Sequence, residues 1–224
     1  MTEAVEVNGI VLSSMPVGES DRRLSILTKE LGRISAFARG ARKPTSSLIA
    51  ATRPFATGKF FIYPGRDAFS LNKAEISEHF EEIVKDVEKT AYGSYFLELA
   101  TRFSHEHFDG GNQLNLLYLS LKALLNEKIP LPLTRRVYEL KTLTYEGVIP
   151  EFSEGQGAAN QFSLSKSAVF ALRFIRETEL KKLYTFTVTP EVLWEIARVS
   201  EYFVSANIDR PLKSAEMIEI LTNT

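Results

Sequence analysis

The hydrophobic period changes once along this chain, and the change limits what it can fold into. From Ala4 to about Ser77 apolar residues alternate in short runs broken by Gly or Pro; from His79 onward they recur at helical spacing. A period of two followed by a helical period predicts an α+β chain, with a β domain over residues 1–78 and an α-helical domain over 79–224. Hydrophobic residues make up 44% of the sequence, enough to build real cores, so wholesale disorder is excluded.

Five strands are predicted: Val5–Leu12, Arg22–Thr28, Arg33–Gly40, Phe55–Tyr63 and Ala68–Ile76. Met15-Pro16-Val17-Gly18 reads as a break after the first. The third alternates cleanly, with Ile34, Ala36 and Ala38 on one face and Arg33, Ser35, Phe37 and Arg39 on the other. Five strands this short suggest a small closed barrel, because closure removes vulnerable sheet edges. The helical part predicts helices over Thr90–Arg102, Leu114–Asn126, Leu133–Tyr145, Ser165–Thr178, Pro190–Ser205 and Lys213–Thr222. Thr189 is placed as an N-cap before Pro190 at the first helical position, and Glu154–Asn160 as a flexible loop.

Several chemistries are excluded. The chain has no cysteine, which removes disulfides, thiolate zinc sites, iron–sulfur clusters and Cys nucleophiles. His105 and His107 stand two residues apart and would not share a helix face as a metal pair. Gly155-Gln156-Gly157-Ala158-Ala159-Asn160 lacks the third glycine and the preceding strand of a dinucleotide loop. There is no Walker A sequence, no G-x-S-x-G and no convincing carboxylate pair, so the reading is not an enzyme. A hydrolase or nuclease would need clustered carboxylates with a metal. No segment is apolar enough to span a bilayer, and the first residues, Met1 to Glu6, lack the charged and apolar regions of a signal peptide. The expected compartment is therefore the cytoplasm.

The net charge of −1 is an average of unlike parts. Between Asn8 and Lys73 there are 11 Lys and Arg against the four acids Glu19, Asp21, Glu30 and Asp67, a surplus of +7, and the remainder carries −8. A β domain of that charge suits a phosphate backbone. The densest cluster, Arg39, Arg42 and Lys43, follows the third strand. Arg33 and Phe37 share that strand's face, and Lys59, Phe61 and Tyr63 share one face of the fourth. Cations interleaved with aromatics suit single-strand binding, since cations track phosphates and rings stack on bases. Phe61 and Tyr63 can equally be read as packing residues. A small barrel with such a face resembles an OB-fold.

A family resemblance rests on Gly9-Ile10-Val11-Leu12, Gly18-Glu19-Ser20-Asp21, Leu24, Thr28 and Gly32-Arg33-Ile34-Ser35-Ala36. It continues through Ala38-Arg39-Gly40-Ala41-Arg42-Lys43-Pro44, Ser47-Leu48, Pro54-Phe55 and Ala74-Glu75. In order and spacing these elements resemble the N-terminal domain of the bacterial RecO recombination mediator family, most strongly over about the first 80 residues. The resemblance implies an N-terminal five-stranded OB-fold followed by an α-helical domain. It further implies binding of single- and double-stranded DNA, annealing of complementary strands, and action with RecR to load RecA onto DNA coated by single-stranded DNA-binding protein. The helical domain would contact that protein's acidic, apolar C-terminal tail, and the protein would associate with the nucleoid when acting.

On this reading Arg39, Arg42 and Lys43 hold phosphates, Arg33 and Lys59 extend the track, and Phe37 or Tyr63 stacks. The alternative is a protein-interaction adaptor without direct DNA binding. It would use the barrel and a helical groove, with Arg135, Arg136 and Lys141 as candidate rim cations or, more simply, solvated residues. Many family members carry a four-cysteine zinc module after a G-x-x-P-like segment. Here Gly147-Val148-Ile149-Pro150 is followed by Glu151-Phe152-Ser153-Glu154, so the zinc site is predicted absent over about 147–163, no cofactor is expected, and Phe152 and Phe162 are candidate plugs.

Overall fold

A computed structural model describes residues 3–155 and 157–222. Met1 and Thr2, on which the reading of the N-terminus partly rests, and Gln156, within the expected loop, lie outside the described residues. The β part is a closed barrel of β1 (Val5–Val17), β2 (Asp21–Thr28), β3 (Gly32–Ala38), β4 (Thr57–Tyr63) and β5 (Phe69–Glu78), joined in the order β1-β2-β3-β5-β4. All neighbours are antiparallel except β3 and β5, which run parallel and meet only at Ala36 with Phe69 and Phe37 with Ser70. The alternation read in the third strand is present: Ile34, Ala36 and Ala38 join Val7, Val11, Leu24, Ile26, Phe60, Ile62 and Leu71 in the barrel core.

The expected break at Met15–Val17 is overturned, since β1 continues to Val17. The reason lies in its neighbours. β1 pairs with β4 only as far as Ile10, then bulges between Val11 and Ser13 and runs on beside β2 alone. Pro16 sits on this one-sided stretch, where β1 is an edge beside β2 alone and a proline is tolerated.

The helices are α1 (Glu81–Val84), α2 (Val87–Phe103), α3 (Gly111–Leu124), α4 (Leu131–Tyr145), α5 (Gly157–Gln161), α6 (Lys166–Glu177), α7 (Pro190–Ala206) and α8 (Lys213–Thr222). Helix α5 replaces the second half of the loop expected over Glu154–Asn160 by burying Ala159. Ser165 and Thr189 cap α6 and α7, accepting from the amides of Ala168 and Val192. Among the described residues no helix is long and apolar enough to cross a membrane.

The chain separates into two compact units, Met1–Val84 with Ala100–Tyr118, and Lys85–Leu99 with Leu119–Thr224. In the first, the segment between α2 and α3 clamps the β2–β3 turn: Arg33 donates its amide to His105, His107 to Leu31, and Gly110 to Lys29. Gly32, at φ +65°, lies so close that an added Cβ would stand 2.3 Å from the His105 carbonyl oxygen. In the second unit α4 packs against α6 and α7 and buries Leu133, Val137, Tyr138, Leu140 and Leu143.

Candidate nucleic-acid interface

Strand register places side chains in rows around the barrel. Arg23 on β2 is paired with Phe37 on β3, Phe37 with Ser70 on β5, and Ser70 with Tyr63 on β4. Phe37 points away from the core because its neighbours Ala36 and Ala38 point in, so the row lies on the outside. Three strand spacings make it roughly 14 Å long. The Arg23 Nε donates to Ser35 Oγ at 3.0 Å, and its guanidinium carbon lies 5.8 Å from the Phe37 ring centroid. Two of the residues read from sequence, Phe37 and Tyr63, are thus brought together by the ladder. Arg23 was missed; its signal is an odd position in a strand, directly opposite an outward aromatic.

The basic loop begins where β3 ends, beside the start of β2. Asp21 accepts from the Gly40 amide at 2.8 Å and from the Ser20 hydroxyl at 3.1 Å. The Gly40 amide, then the Ser20 hydroxyl, holds the Asp21 carboxyl below its ordinary range, with smaller help from the charges of Arg39 and Lys43. Arg42 donates its amide to Ser20 and its guanidinium to the Gly18 carbonyl at 3.0 Å. Arg39, Arg42 and Lys43 are all exposed, and among the described residues the side chains of Arg39 and Lys43 have no hydrogen bond or ion pair. Backbone bonds therefore fix the loop while two of its cations stay available.

The other two predicted cations are elsewhere and engaged. Arg33 stands at the opposite end of β3, with its guanidinium 3.4 Å from both the Ser104 carbonyl and the Glu106 carboxylate. It lines a cleft of about 200 Å³ with Arg66, Asp67, Glu106 and His107. Lys59 pairs with Glu6 at 2.7 Å, and the hydrogen bond it donates to the Glu6 carboxylate raises its pKa. Phe61, beside it, faces Lys73, whose ammonium is 4.8 Å from the ring centroid.

Of the rim cations considered from sequence, Arg135 and Arg136 line a groove of about 600 Å³ with Tyr92, Tyr95, Leu212 and Ile218, but as members of a buried ion-pair cluster. Arg136 and Lys141 are buried and Arg135 nearly so. Both arginines turn to Glu139, from Arg135 Nε at 2.8 Å and Arg136 Nη1 at 3.0 Å. Lys141 donates to the carbonyls of Arg176 and Thr178 at 2.8 Å, closing the C-terminal end of α6, and burial pushes its pKa down. Arg135 and Arg136, four and three residues before Glu139, turn inward to its buried carboxylate, while Lys141 turns inward to the carbonyls that end α6. A groove of about 800 Å³ lies beside α6, lined by Phe170, Phe174, Phe186 and Val192, with Lys166 and its ion-pair partner Glu154, 3.4 Å away, also in the lining.

The 147–163 region does not fit a zinc module. It has no cysteine, and among the described residues no three metal-binding side chains gather anywhere. Apolar packing fills the place: Phe152 is fully buried, and Phe162 packs on Tyr202 and Phe203 at centroid distances of 5.3 and 6.2 Å.

Comparison with known proteins agrees with this architecture. The profile described as recombination protein O N terminal matches residues 1–80, and the one described as recombination protein O C terminal matches 84–157 and 153–216. The chain is 28% identical to the DNA repair protein RecO of Clostridium perfringens (strain 13 / Type A), covering 97% of this chain and 98% of that one. It is 33% identical to that of Alkaliphilus metalliredigens over 72% of this chain and 67% of the relative. The Acetivibrio thermocellus protein of the same description is 25% identical over 97% of both. With profiles matched on the barrel and the helical part alike, the chain belongs to the RecO family of DNA repair and recombination proteins.

Proposed function

We propose that this chain is a recombination mediator that binds single- and double-stranded DNA on its barrel and anneals complementary strands. With RecR, it helps load RecA onto DNA coated by single-stranded DNA-binding protein, without itself making or breaking bonds. The observation that carries the reading is the loop of Arg39, Arg42 and Lys43, anchored by its backbone beside an outward row containing Phe37 and Tyr63. Cations on such a loop displace counterions from phosphates, and rings accept bases of any sequence. Two strands neutralised on one surface repel each other less, which favours pairing. The acidic tail of single-stranded DNA-binding protein belongs, on this proposal, to the second unit, where the groove of Phe170, Phe174 and Phe186 edged by Lys166 supports it.

The test is fluorescence anisotropy of a labelled oligonucleotide across a salt series, comparing the wild type with the Arg39→Ala, Arg42→Ala, Lys43→Ala triple variant. The expected result is weaker binding and a salt slope flatter by about 1.4, two available cations at roughly 0.7 each. Unchanged affinity and slope would remove the loop from the interface.

A further inference from the structure

The groove lined by Arg135 and Arg136 lies wholly within the second unit, among side chains of α2, α4, α7 and α8. Its α8 wall is fixed. Glu98 on α2 accepts from the amides of Lys213 and Ser214 at 3.2 and 3.0 Å, and from the Ser214 hydroxyl at 2.6 Å. That carboxylate caps the first turn of α8, and Ile218 is buried further along the helix. The groove is therefore formed before anything enters it.

Its charges are unevenly matched. The lining carries two arginines against four glutamates. Arg135 and Arg136 both pair with Glu139, and Arg136 also pairs with Glu201. Glu216 and Glu219 remain, exposed on α8; among the described residues neither carboxylate has a hydrogen bond or an ion pair. Val204, Ile208, Leu212 and Ile218 supply apolar wall. Tyr92 adds an independent sign of a ligand. It is 2% exposed, yet its hydroxyl has no hydrogen-bond partner among the described residues and is not sealed from the groove. A buried hydroxyl left unpaired costs free energy that an occupant bonding to it recovers.

We propose that this groove seats an amphipathic helix of a partner protein, apolar on one face and basic beside it, laid along α8. The lining runs from Leu212 to Thr222, roughly 15 Å, or about three helical turns. Apolar residues of the incoming helix at i, i+3, i+4 and i+7 meet the apolar wall. Lys or Arg residues one turn apart on it meet Glu216 and Glu219, which are themselves one turn apart. The Tyr92 hydroxyl bonds to a polar group of the same helix. An acidic segment would face two unpaired carboxylates, so the groove selects against it.

The experiment titrates the full chain into a fluorescein-labelled peptide of about four turns, built only of Leu and Lys with the leucines on one helical face, and reads anisotropy. One control peptide replaces every Lys with Glu; another scrambles the order so that the leucines share no face. The Lys peptide is expected to bind and both controls to fail. Glu216→Gln combined with Glu219→Gln should weaken it roughly tenfold, about threefold for each ion pair. Tyr92→Phe should weaken it about fivefold, the weight of one hydrogen bond. Because that hydroxyl has no partner in the free chain, Tyr92→Phe should leave the Tm unchanged, which separates a lost ligand contact from lost structure. Equal binding of the Glu peptide, or Lys-peptide binding that neither variant weakens, overturns the proposal. Self-association of the chain alone, abolished by the double variant, would give the groove to a second copy and also overturn it. None of these outcomes bears on the barrel.

Discussion

Arg135 and Glu139 stand one turn apart on α4, and the guanidinium Nε lies 2.8 Å from the carboxylate Oε1. Glu139 is 1% exposed and also receives Arg136 and the hydroxyls of Tyr95 and Ser200. Burial alone would raise its pKa, but Arg136 and Arg135, with Ser200 and Tyr95, outweigh burial and hold it at about 2. Because the folded value is depressed, the stability it contributes is complete above the unfolded carboxyl value. That contribution is lost as pH falls from about 4.5 towards about 2. Acid titration followed by far-UV circular dichroism should place an unfolding step in that window, and Glu139→Gln should remove the step's dependence on this group.

Removing the carboxylate leaves the Arg135 guanidinium without its ion-pair partner and Arg136 with Glu201 alone. Glu139→Ala is expected to cost about 3–5 kcal/mol in urea denaturation, far more than an exposed ion pair would. A loss below about 1 kcal/mol, the exposed-pair level, would show that solvent reaches the site.

Gly32→Ala tests the clamp on the β2–β3 turn. The positive φ and the close approach of the His105 carbonyl leave no place for a Cβ. A loss on the order of 1–3 kcal/mol is expected in chemical denaturation. A neutral substitution would mean that the turn moves away from His105 without cost.

Glu106→Gln tests whether the Glu106 carboxylate keeps Arg33 from adding to the proposed basic track. The Glu106 carboxylate holds the Arg33 guanidinium at 3.4 Å, so removing the charge frees a cation at the far end of β3. Single-strand affinity should rise by up to about fivefold, the weight of an exposed ion pair, and the salt slope should steepen by about 0.7. Anisotropy titrations read both quantities. Weaker binding in this variant would assign Glu106 an ordering role in place of a masking one.

Phe152→Ala opens a cavity in the apolar packing of the 147–163 region, where Phe152 is fully buried. A cost of about 3–5 kcal/mol is expected, seen as a lower Tm. A chelator added to the wild type should leave the Tm unchanged; a fall would reveal a metal bound by ligands other than cysteine.

Much of this architecture was legible in the residues. Alternation at Arg33–Phe37 marked β3 because one face is buried and a two-residue period records that directly. Ser165 and Thr189 marked helix starts because caps are local. Arg39, Arg42 and Lys43 stood out as a charge cluster for the same reason. Pro16 misled because strand tolerance depends on which neighbours are present, and those arrive from β2 and β4. The bonds of Arg23 to Ser35, and of Arg33 and Lys59, the expected extensions of the track, to Glu106 and Glu6, are not legible in sequence because those partners lie on other segments. Arg135, Arg136 and Lys141 carried no mark of burial, since a charged residue reads as exposed until its counter-charge is located.

The parallel junction of β3 and β5 is the barrel's latch. It closes through Ala36 with Phe69 and Phe37 with Ser70, so the ring is fastened at a point and not along a seam. Two of the latch residues, Phe37 and Ser70, are also members of the outward row. A ligand bound across that row would lie across the fastening and hold the ring closed there. Amide exchange at Phe37 and Ser70 would therefore slow when the row is covered, and the empty barrel would breathe there first.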